Sequence, residues 1–171
     1  MVPAATLLTL LVDLPPCDGF DFPVGAPHAV GYYDAQPFGV NDHLGQDWNG
    51  DGGGDSDKGD PVFVVANGVV SLAEDKGGGW GKVVMVVHHV EGEEGLVETM
   101  YAHLDSVDVE AGQVLSRGQK VGTIGDADGV YIPHLHFELR AAPGLGVGPG
   151  YREDATGWLD PQAFIEAHRP G

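Results

Sequence analysis

Cysteine is nearly absent from this chain of 171 residues, in which Cys17 is the single example. One thiol excludes an intrachain disulfide and a thiolate metal cluster, so any metal ion must be held by His, Asp or Glu side chains. Positive charge is also scarce, with 8 Lys and Arg against 26 Asp and Glu and a formal net charge of −18. Such a surface repels nucleic acid and anionic membranes, and we expect neither as a partner.

Long apolar runs near the start of the chain are missing as well. The run at residues 7–12 is far too short to span a membrane, and we expect no membrane span. No Lys or Arg precedes this run and no clear small-residue cleavage site follows it, which makes it a poor export signal. Leu14-Pro15-Pro16-Cys17 has the form of a lipoprotein cleavage box, but prolines stand where small residues are needed. We therefore expect no lipidation.

Glycine is abundant, with 28 residues, and the apolar stretches are short and rich in valine. This composition is typical of many short strands joined by turns, and it predicts an all-β domain. Asn67-Gly68 predicts a tight turn between two of the strands. The nearly continuous apolar run 83–89 suits a central strand, with 97–101 as its partner. The predicted strands are 62–66, 69–72, 83–89, 97–101, 107–109, 120–124 and 134–139.

Only the end of the chain has a helical pattern. Asp160 can cap a helix that has Pro161 at its first position, and Phe164 with Ile165 can dock that helix on the sheet. The chain has the length of about one domain, with no internal repeat and no long linker. We predict a poorly ordered tail over residues 1–20 and a single domain over residues 21–171.

Acidic residues and glycines are concentrated in the segment 48–60. Counted from Asp47, its Asp-x-Asn-x-Asp-Gly opening resembles a calcium loop, but Lys58 stands where a bidentate Glu is expected. A solvated insertion rich in turns is the favoured interpretation. A Ca²⁺ site in this loop is kept as a side hypothesis.

Three histidine motifs follow one another along the chain. In the run Pro133-His134-Leu135-His136-Phe137-Glu138, strand alternation places both imidazoles on one face, while Leu135 and Phe137 point into a core. That face could hold a metal ion, or one ligand beside one catalytic base. Upstream, His43 and Asp47 share a face if their segment is extended, and His103 follows a predicted strand in Tyr101-Ala102-His103-Leu104.

The ordered set of these motifs resembles the lysostaphin-type zinc metallopeptidases, which are cell-wall endopeptidases that cut peptide bridges in peptidoglycan. The resemblance runs from about Asp42 to Arg140 and includes the glycine-rich segments 59–70 and 109–122. It implies a twisted antiparallel β-sheet with a short C-terminal helix. It also implies that His43, Asp47 and His136 bind one Zn²⁺ ion, while His103 and His134 face the substrate and manage protons and the oxyanion. Three protein ligands leave a position for water, as in catalytic zinc sites.

Two segments depart from the pattern of this family. The segment 48–60 looks like an insertion that could wall the cleft. Residues 129–133 are bulkier than the small residues usual before the His-x-His strand, and Tyr131 either lines the cleft or packs. Glu138 either orients His136 or is solvated, since both occur for such a residue. A hydrogen-bonded structural role is favoured for His88 and His89, and no function is assigned to His28 or His168.

The resulting prediction is a monomeric zinc metalloendopeptidase, extracellular or periplasmic, that hydrolyses peptide cross-links of peptidoglycan. Two alternatives stay open. One is a non-catalytic domain that binds cell wall or activates an amidase, although such relatives typically lack metal ligands. The other is a zinc peptidase that acts on a soluble peptide, which the acidic surface favours because wall polymers are anionic.

Overall fold

The computed structural model describes residues 14–92 and 95–171. The apolar run at 7–12 and most of the predicted tail lie outside these residues. Within them the chain forms ten strands, one α-helix, and short helical turns over Gly25–Ala29 and Val40–Asp42. The strands are β1 Tyr32–Gln36, β2 Gln46–Gly50, β3 Pro61–Phe63, β4 Gly68–Asp75, β5 Lys82–Val90, β6 Gly95–Val107, β7 Val114–Leu115, β8 Lys120–Ile124, β9 Leu135–Arg140 and β10 Trp158–Leu159, and the helix is α1 Pro161–Ala167.

All ten strands join one antiparallel sheet. The main path has the order β1-β2-β9-β6-β5-β4-β7, and β10 pairs with β9. The long strand β6 pairs with β5 and β9, and its last residues pair with β8, which in turn pairs with β3. The predicted mainly β, antiparallel fold with a short C-terminal helix is confirmed.

Most of the predicted elements appear with small shifts of their ends. The central strand 83–89 is β5, and its predicted partner 97–101 is the middle of β6. The helix begins as expected, because Pro161 is its first residue and Asp160 accepts a hydrogen bond from the Ala163 N–H at 3.1 Å. Ile165 is buried and Phe164 packs on the core, so the helix docks through the predicted face.

The predicted hairpin around Asn67-Gly68 is wrong. Strand β3 pairs with β8, whereas β4 pairs with β5 and β7. A two-residue turn of the common hairpin type needs positive φ at both central residues, and neither Asn67 nor Gly68 has it. The Asn67 carbonyl instead accepts hydrogen bonds from His88 Nδ1 and from Cys17 Sγ. Contacts with distant segments therefore override the local turn signal.

The N-terminal part of the described chain is packed. Phe20 is 1% exposed and Leu14 is 6% exposed. The Cys17 N–H donates to the His89 carbonyl at 2.7 Å, and the Asp21 N–H donates to the Val65 carbonyl at 2.8 Å. Residues 14–20, which the sequence placed in a loose tail, thus lie against the sheet.

The segment that suggested calcium does not bring its pattern together. Asp47 and Asn49 lie on β2 and line a cleft, where Asn49 donates to the Pro133 carbonyl at 3.1 Å. Asp51 is exposed at the end of that strand. The first two residues of the calcium pattern therefore have other partners, so this geometry does not support a Ca²⁺ loop counted from Asp47, which stays a prediction. The described residues also contain no helix long and apolar enough to cross a membrane.

Strand β9 separates the apolar core from a polar site. Leu135 and Phe137 are fully buried in the main hydrophobic core, as the alternation predicted. His136, Glu138 and Arg140 point to the opposite face and are also buried. One short strand therefore carries the core on one face and a row of ionisable groups on the other.

Candidate metal centre and cleft

His43, Asp47 and His136 meet where β2 pairs with β9. Asp47 and His136 are directly opposite each other in the β2–β9 register. His43 follows the helical turn Val40–Asp42 and makes an isolated bridge with Tyr151. The close approach depends on Gly45, where a Cβ atom would lie 2.4 Å from the Phe137 carbonyl oxygen.

The donor atoms of these three residues lie near the spacing of a zinc site, with two of the three distances slightly shorter. His43 Nε2 lies 3.1 Å from His136 Nδ1 and 3.3 Å from Asp47 Oδ1, and the last two atoms are 2.9 Å apart. Tetrahedral zinc with bonds of about 2.0–2.2 Å separates its ligand atoms by about 3.3–3.5 Å. Two imidazoles and one carboxylate are also donors that zinc accepts. The three residues could therefore hold a metal ion.

Hydrogen bonds fix which nitrogen of each histidine faces the centre. His43 Nδ1 donates to the Gln36 carbonyl at 3.0 Å, because a carbonyl can only accept, and this leaves Nε2 for a metal. His136 Nε2 donates to Glu138 Oε1 at 3.0 Å, which leaves Nδ1 for the same metal. Both rings are thus held with a lone pair directed at the centre.

The charges of the centre are coupled when no metal is bound. Burial lowers the pKa of His136, but hydrogen bonds to Asp47 and Glu138 outweigh it and raise the pKa to about 9. Burial raises the pKa of Asp47, but hydrogen bonds from His136 and His43 outweigh it and hold that pKa well below its usual range. The metal-free centre therefore keeps a proton on His136 near neutral pH, and a metal ion must displace it.

Glu138 settles an alternative that the sequence left open. It is fully buried and is not solvated. Its Oε2 accepts hydrogen bonds from Arg140 Nη2 at 2.8 Å and from Trp158 Nε1 at 2.6 Å, while Oε1 accepts from His136. Arg140 is itself buried and donates to the carbonyls of Gly146 and Val147. A continuous network thus orients His136 from behind.

His103 and His134 lie beside the trio. Their ring centroids are 4.8 Å apart, and His134 Nε2 is 3.7 Å from Asp47 Oδ1. His134 Nδ1 donates to the Ile132 carbonyl at 2.8 Å and His103 Nδ1 donates to the Trp80 carbonyl at 3.3 Å, which leaves Nε2 of each ring for the cleft. Burial, with help from His136 and His134, lowers the pKa of His103 to about 3, so this ring is neutral near pH 7.

The backbone of His103 is unusual. Its φ is +62°, a left-handed conformation that is uncommon for residues other than glycine. Its N–H donates to the Trp80 carbonyl at 3.0 Å, so that two hydrogen bonds to one carbonyl fix the residue. Such strained positions are concentrated at functional sites.

An open cleft of about 670 Å³ is lined by Asp47, His103, His134 and His136, whereas His43, Glu138, Arg140 and Trp158 lie outside its lining. Sequence reasoning missed most of its walls, which are formed by Tyr33, Gln36, Asn49, Trp80, Ile132 and Tyr151. These residues come from loops and from strands β1 and β2, and none belongs to the three histidine motifs. Tyr131 does line the cleft. Of the segment 48–60, only Asn49 does so, and the expectation that this insertion walls the cleft is wrong.

The remaining histidines have partners away from the cleft. His88 is fully buried, with its ring nitrogens 2.9 Å from the Asn67 carbonyl and 2.8 Å from Thr99 Oγ1. His89 Nδ1 donates to the Leu14 carbonyl at 3.0 Å. These contacts agree with the structural roles expected for both residues.

Relatives of known name match about half of the chain. The chain is 40% identical over 86 residues to the cell division protein DipM of Caulobacter vibrioides, a match that covers 50% of this chain and 13% of DipM. It is 36% identical over 81 residues to the peptidoglycan DD-endopeptidase ShyA of Vibrio cholerae, which covers 47% and 17%. The chain thus spans less than a fifth of either relative.

Solved structures share the fold. A crystal structure of a peptidase M23 from Pseudomonas aeruginosa has a TM-score of 0.61 and 26% identity, over 95% of this chain and 59% of that one. The catalytic domain of lysostaphin from Staphylococcus simulans has a TM-score of 0.55 and 20% identity, over 92% and 96%. At that identity the second likeness shows the fold alone.

The family follows from the region that is matched. A model of peptidase family M23 matches residues 42–148, more than half of the chain, and this region includes the trio, His103 and His134. The predicted resemblance to lysostaphin-type peptidases is confirmed. The chain belongs to peptidase family M23.

Proposed function

We propose that this protein is a zinc metalloendopeptidase that hydrolyses peptide cross-links of peptidoglycan. The observation that carries the proposal is the trio of His43, Asp47 and His136 at zinc-like spacing, with two further imidazoles in the same cleft. Family M23 is a family of zinc metallopeptidases, and a relative at 36% identity is named as a peptidoglycan DD-endopeptidase.

The trio would hold one Zn²⁺ ion and leave the cleft side of the centre open. When bound, zinc lowers the pKa of a coordinated water to about 7 and polarises a carbonyl oxygen. His103 and His134 present Nε2 to the cleft, and one of them would accept the proton of the attacking water. The other would stabilise the oxyanion or protonate the leaving amine. Asp47, already ionised, would lower the net charge of the centre.

The location and the extent of the working unit follow from this proposal. A peptidase for cell-wall cross-links acts outside the cytoplasm, so we place the protein in the extracellular or periplasmic space. We take residues 21–171 as one catalytic domain that works as a monomer, with residues 14–20 packed against it.

Two histidine variants test the mechanism. His136→Ala should lose both zinc and activity, because it removes a ligand. His103→Ala should keep zinc and lose activity by about 10²–10⁴-fold, the usual contribution of a positioned acid or base. Zinc is measured by elemental mass spectrometry, and activity by new amino termini released from peptidoglycans of several cross-bridge types.

His89→Ala is the matched control, since His89 lies outside the cleft and should keep both properties. Full wall-lytic activity in the His103→Ala protein would refute the mechanism. If the zinc-loaded protein releases amino termini from no peptidoglycan but cleaves soluble peptides, the result favours the second candidate function, a zinc peptidase that acts on a soluble peptide. That candidate is supported by the net charge of −18, which disfavours approach to anionic wall polymers. Cleavage of neither would favour a non-catalytic wall-binding or amidase-activating domain.

A further inference from the structure

The Lys and Arg side chains of this molecule are all engaged outside the cleft. The structure describes all eight Lys and Arg residues of the chain, and none of them lines the cleft. Each has a carboxylate or carbonyl partner. The pairs are Lys58 with Asp126, Lys76 with Glu74, Lys82 with the Asp105 carbonyl, Lys120 with Asp108, Arg117 with Asp18 and Asp21, Arg140 with Glu138, Arg152 with Asp154 and Arg169 with Asp21.

Two of these cations adjoin the site through the chain or through hydrogen bonds, and both have partners of their own. Arg140 is fully buried behind His136, on the far side of Glu138. Arg152 directly follows the cleft residue Tyr151, but its guanidinium lies 3.3 Å from the Asp154 carboxylate. Arg140 has no exposed surface for a substrate group, and the Arg152 guanidinium is already paired with a carboxylate of the chain.

The groups that do line the cleft suit an uncharged peptide. Trp80, Tyr131 and Tyr151 provide ring faces, and Gln36 and Asn49 provide amides. Asp47 is the one carboxylate among the lining residues. Away from the metal, a substrate carboxylate placed against these walls would lose water without gaining a cationic side chain, which is costly for a charged group. The net charge of −18 adds a repulsion that is felt over about 8 Å at physiological salt.

We propose that the cleft accepts an internal, uncharged peptide segment and discriminates against a free carboxylate beside the scissile bond. The natural substrate would then be a cross-link whose neighbouring carboxyl groups are amidated or absent. Removal of a C-terminal residue, which places a free carboxylate next to the scissile bond, would be slow. This inference rests on the proposed peptidase function and names the substrate class of that site.

One wall preparation in two chemical forms tests the inference. Purified peptidoglycan is divided, and one half is treated with carbodiimide and ammonia so that its carboxylates become carboxamides. The zinc-loaded protein is incubated with each half, and the rate of appearance of new amino termini is measured at low and physiological salt. We expect the amidated wall to be cleaved about tenfold faster, since like charges at a binding site are strongly disfavoured.

Two lysine variants separate the cleft from the overall charge. Tyr33→Lys adds a cation at an exposed position that lines the cleft, whereas Val114→Lys adds the same charge at an exposed position on β7, at the opposite edge of the sheet. We expect Tyr33→Lys to reduce the difference in cleavage rate between amidated and untreated peptidoglycan. Val114→Lys should leave that difference unchanged.

Equal rates of cleavage of amidated and untreated peptidoglycan would overturn the inference while leaving the proposed function in place. An equal effect of both lysine variants would also overturn it, because the discrimination would then come from the whole surface. If neither wall releases amino termini, the proposed function fails and the inference falls with it.

Discussion

The buried carboxylate of Glu138 offers the sharpest test of how the centre is built. Glu138→Gln keeps the side-chain volume but removes the charge that faces His136, Arg140 and Trp158. Breaking one side of a buried ion pair costs about 3–5 kcal/mol. Because carbonyls of Gly146 and Val147 still accept from Arg140, we expect a loss in unfolding free energy of about 3 kcal/mol, the lower end of that range.

Zinc affinity should fall in the same variant by about 10–100-fold, since an outer hydrogen bond of this kind orients a ligand histidine. Trp158→Phe is the matched control. It removes a donor to the same carboxylate and costs about 1.5–3 kcal/mol, but it leaves the bond between Glu138 and His136 in place. Its zinc affinity should therefore stay within about twofold of the parent.

Stability is measured by urea unfolding of the metal-free proteins, and zinc affinity by competition with a chelator. The comparison is informative because both variants weaken the same network. Parent-like zinc affinity in Glu138→Gln would refute the orienting role. So would an equal loss of zinc affinity in Trp158→Phe, because the effect would then follow from general destabilisation.

Four further predictions concern protons and packing. The pKa of His136 is about 9, and a metal ion must displace its proton. Zinc affinity should therefore rise about tenfold per pH unit up to about pH 9. Calorimetry in buffers of different ionisation enthalpy would detect the released proton. The same raised pKa stabilises the metal-free protein fully below about pH 6.5, and this contribution is lost as the pH rises through 9, which unfolding at several pH values would show. Gly45→Ala should push β2 from β9 and weaken zinc binding, whereas Gly53→Ala, in open space at φ +70°, should cost about 1–2 kcal/mol and leave zinc affinity unchanged. Burial lowers the pKa of His88 to about 4, so the free energy of unfolding should fall by about 3 kcal/mol between pH 6.5 and 4. His88→Gln should reduce this dependence of stability on pH. An unchanged dependence would assign the acid sensitivity to another group.

The parts of the site that were predictable from sequence are those encoded locally. Alternation along a strand requires only neighbouring residues, and it correctly separated Leu135 and Phe137 from His136. The three histidine motifs also stand in a fixed order along the chain. The structure brings all five predicted site residues to one place, although their chemical roles stay predictions.

The parts that were not predictable depend on contacts between distant segments. One hydrogen-bond donor to the buried Glu138 is Trp158, which is twenty residues away in sequence. The walls formed by Trp80 and Tyr151 meet the centre only after the sheet has folded. The hairpin predicted from Asn67-Gly68 does not form for the same reason. The Asn67 carbonyl accepts hydrogen bonds from His88 on β5 and from Cys17 in the N-terminal segment.

The spacing of the two histidine ligands along the chain has a consequence for stability. His43 and His136 are 93 residues apart in sequence, yet their nitrogens lie 3.1 Å apart. A metal ion held between them would close a loop of that length and tie the segment that leads into β2 to strand β9. In the chain-entropy model a cross-link over a loop of this size lowers the conformational entropy of the unfolded state, which stabilises the folded state by about 4–5 kcal/mol. This chain has one cysteine and cannot form an intrachain disulfide, so the bound metal would also serve as its cross-link between distant segments.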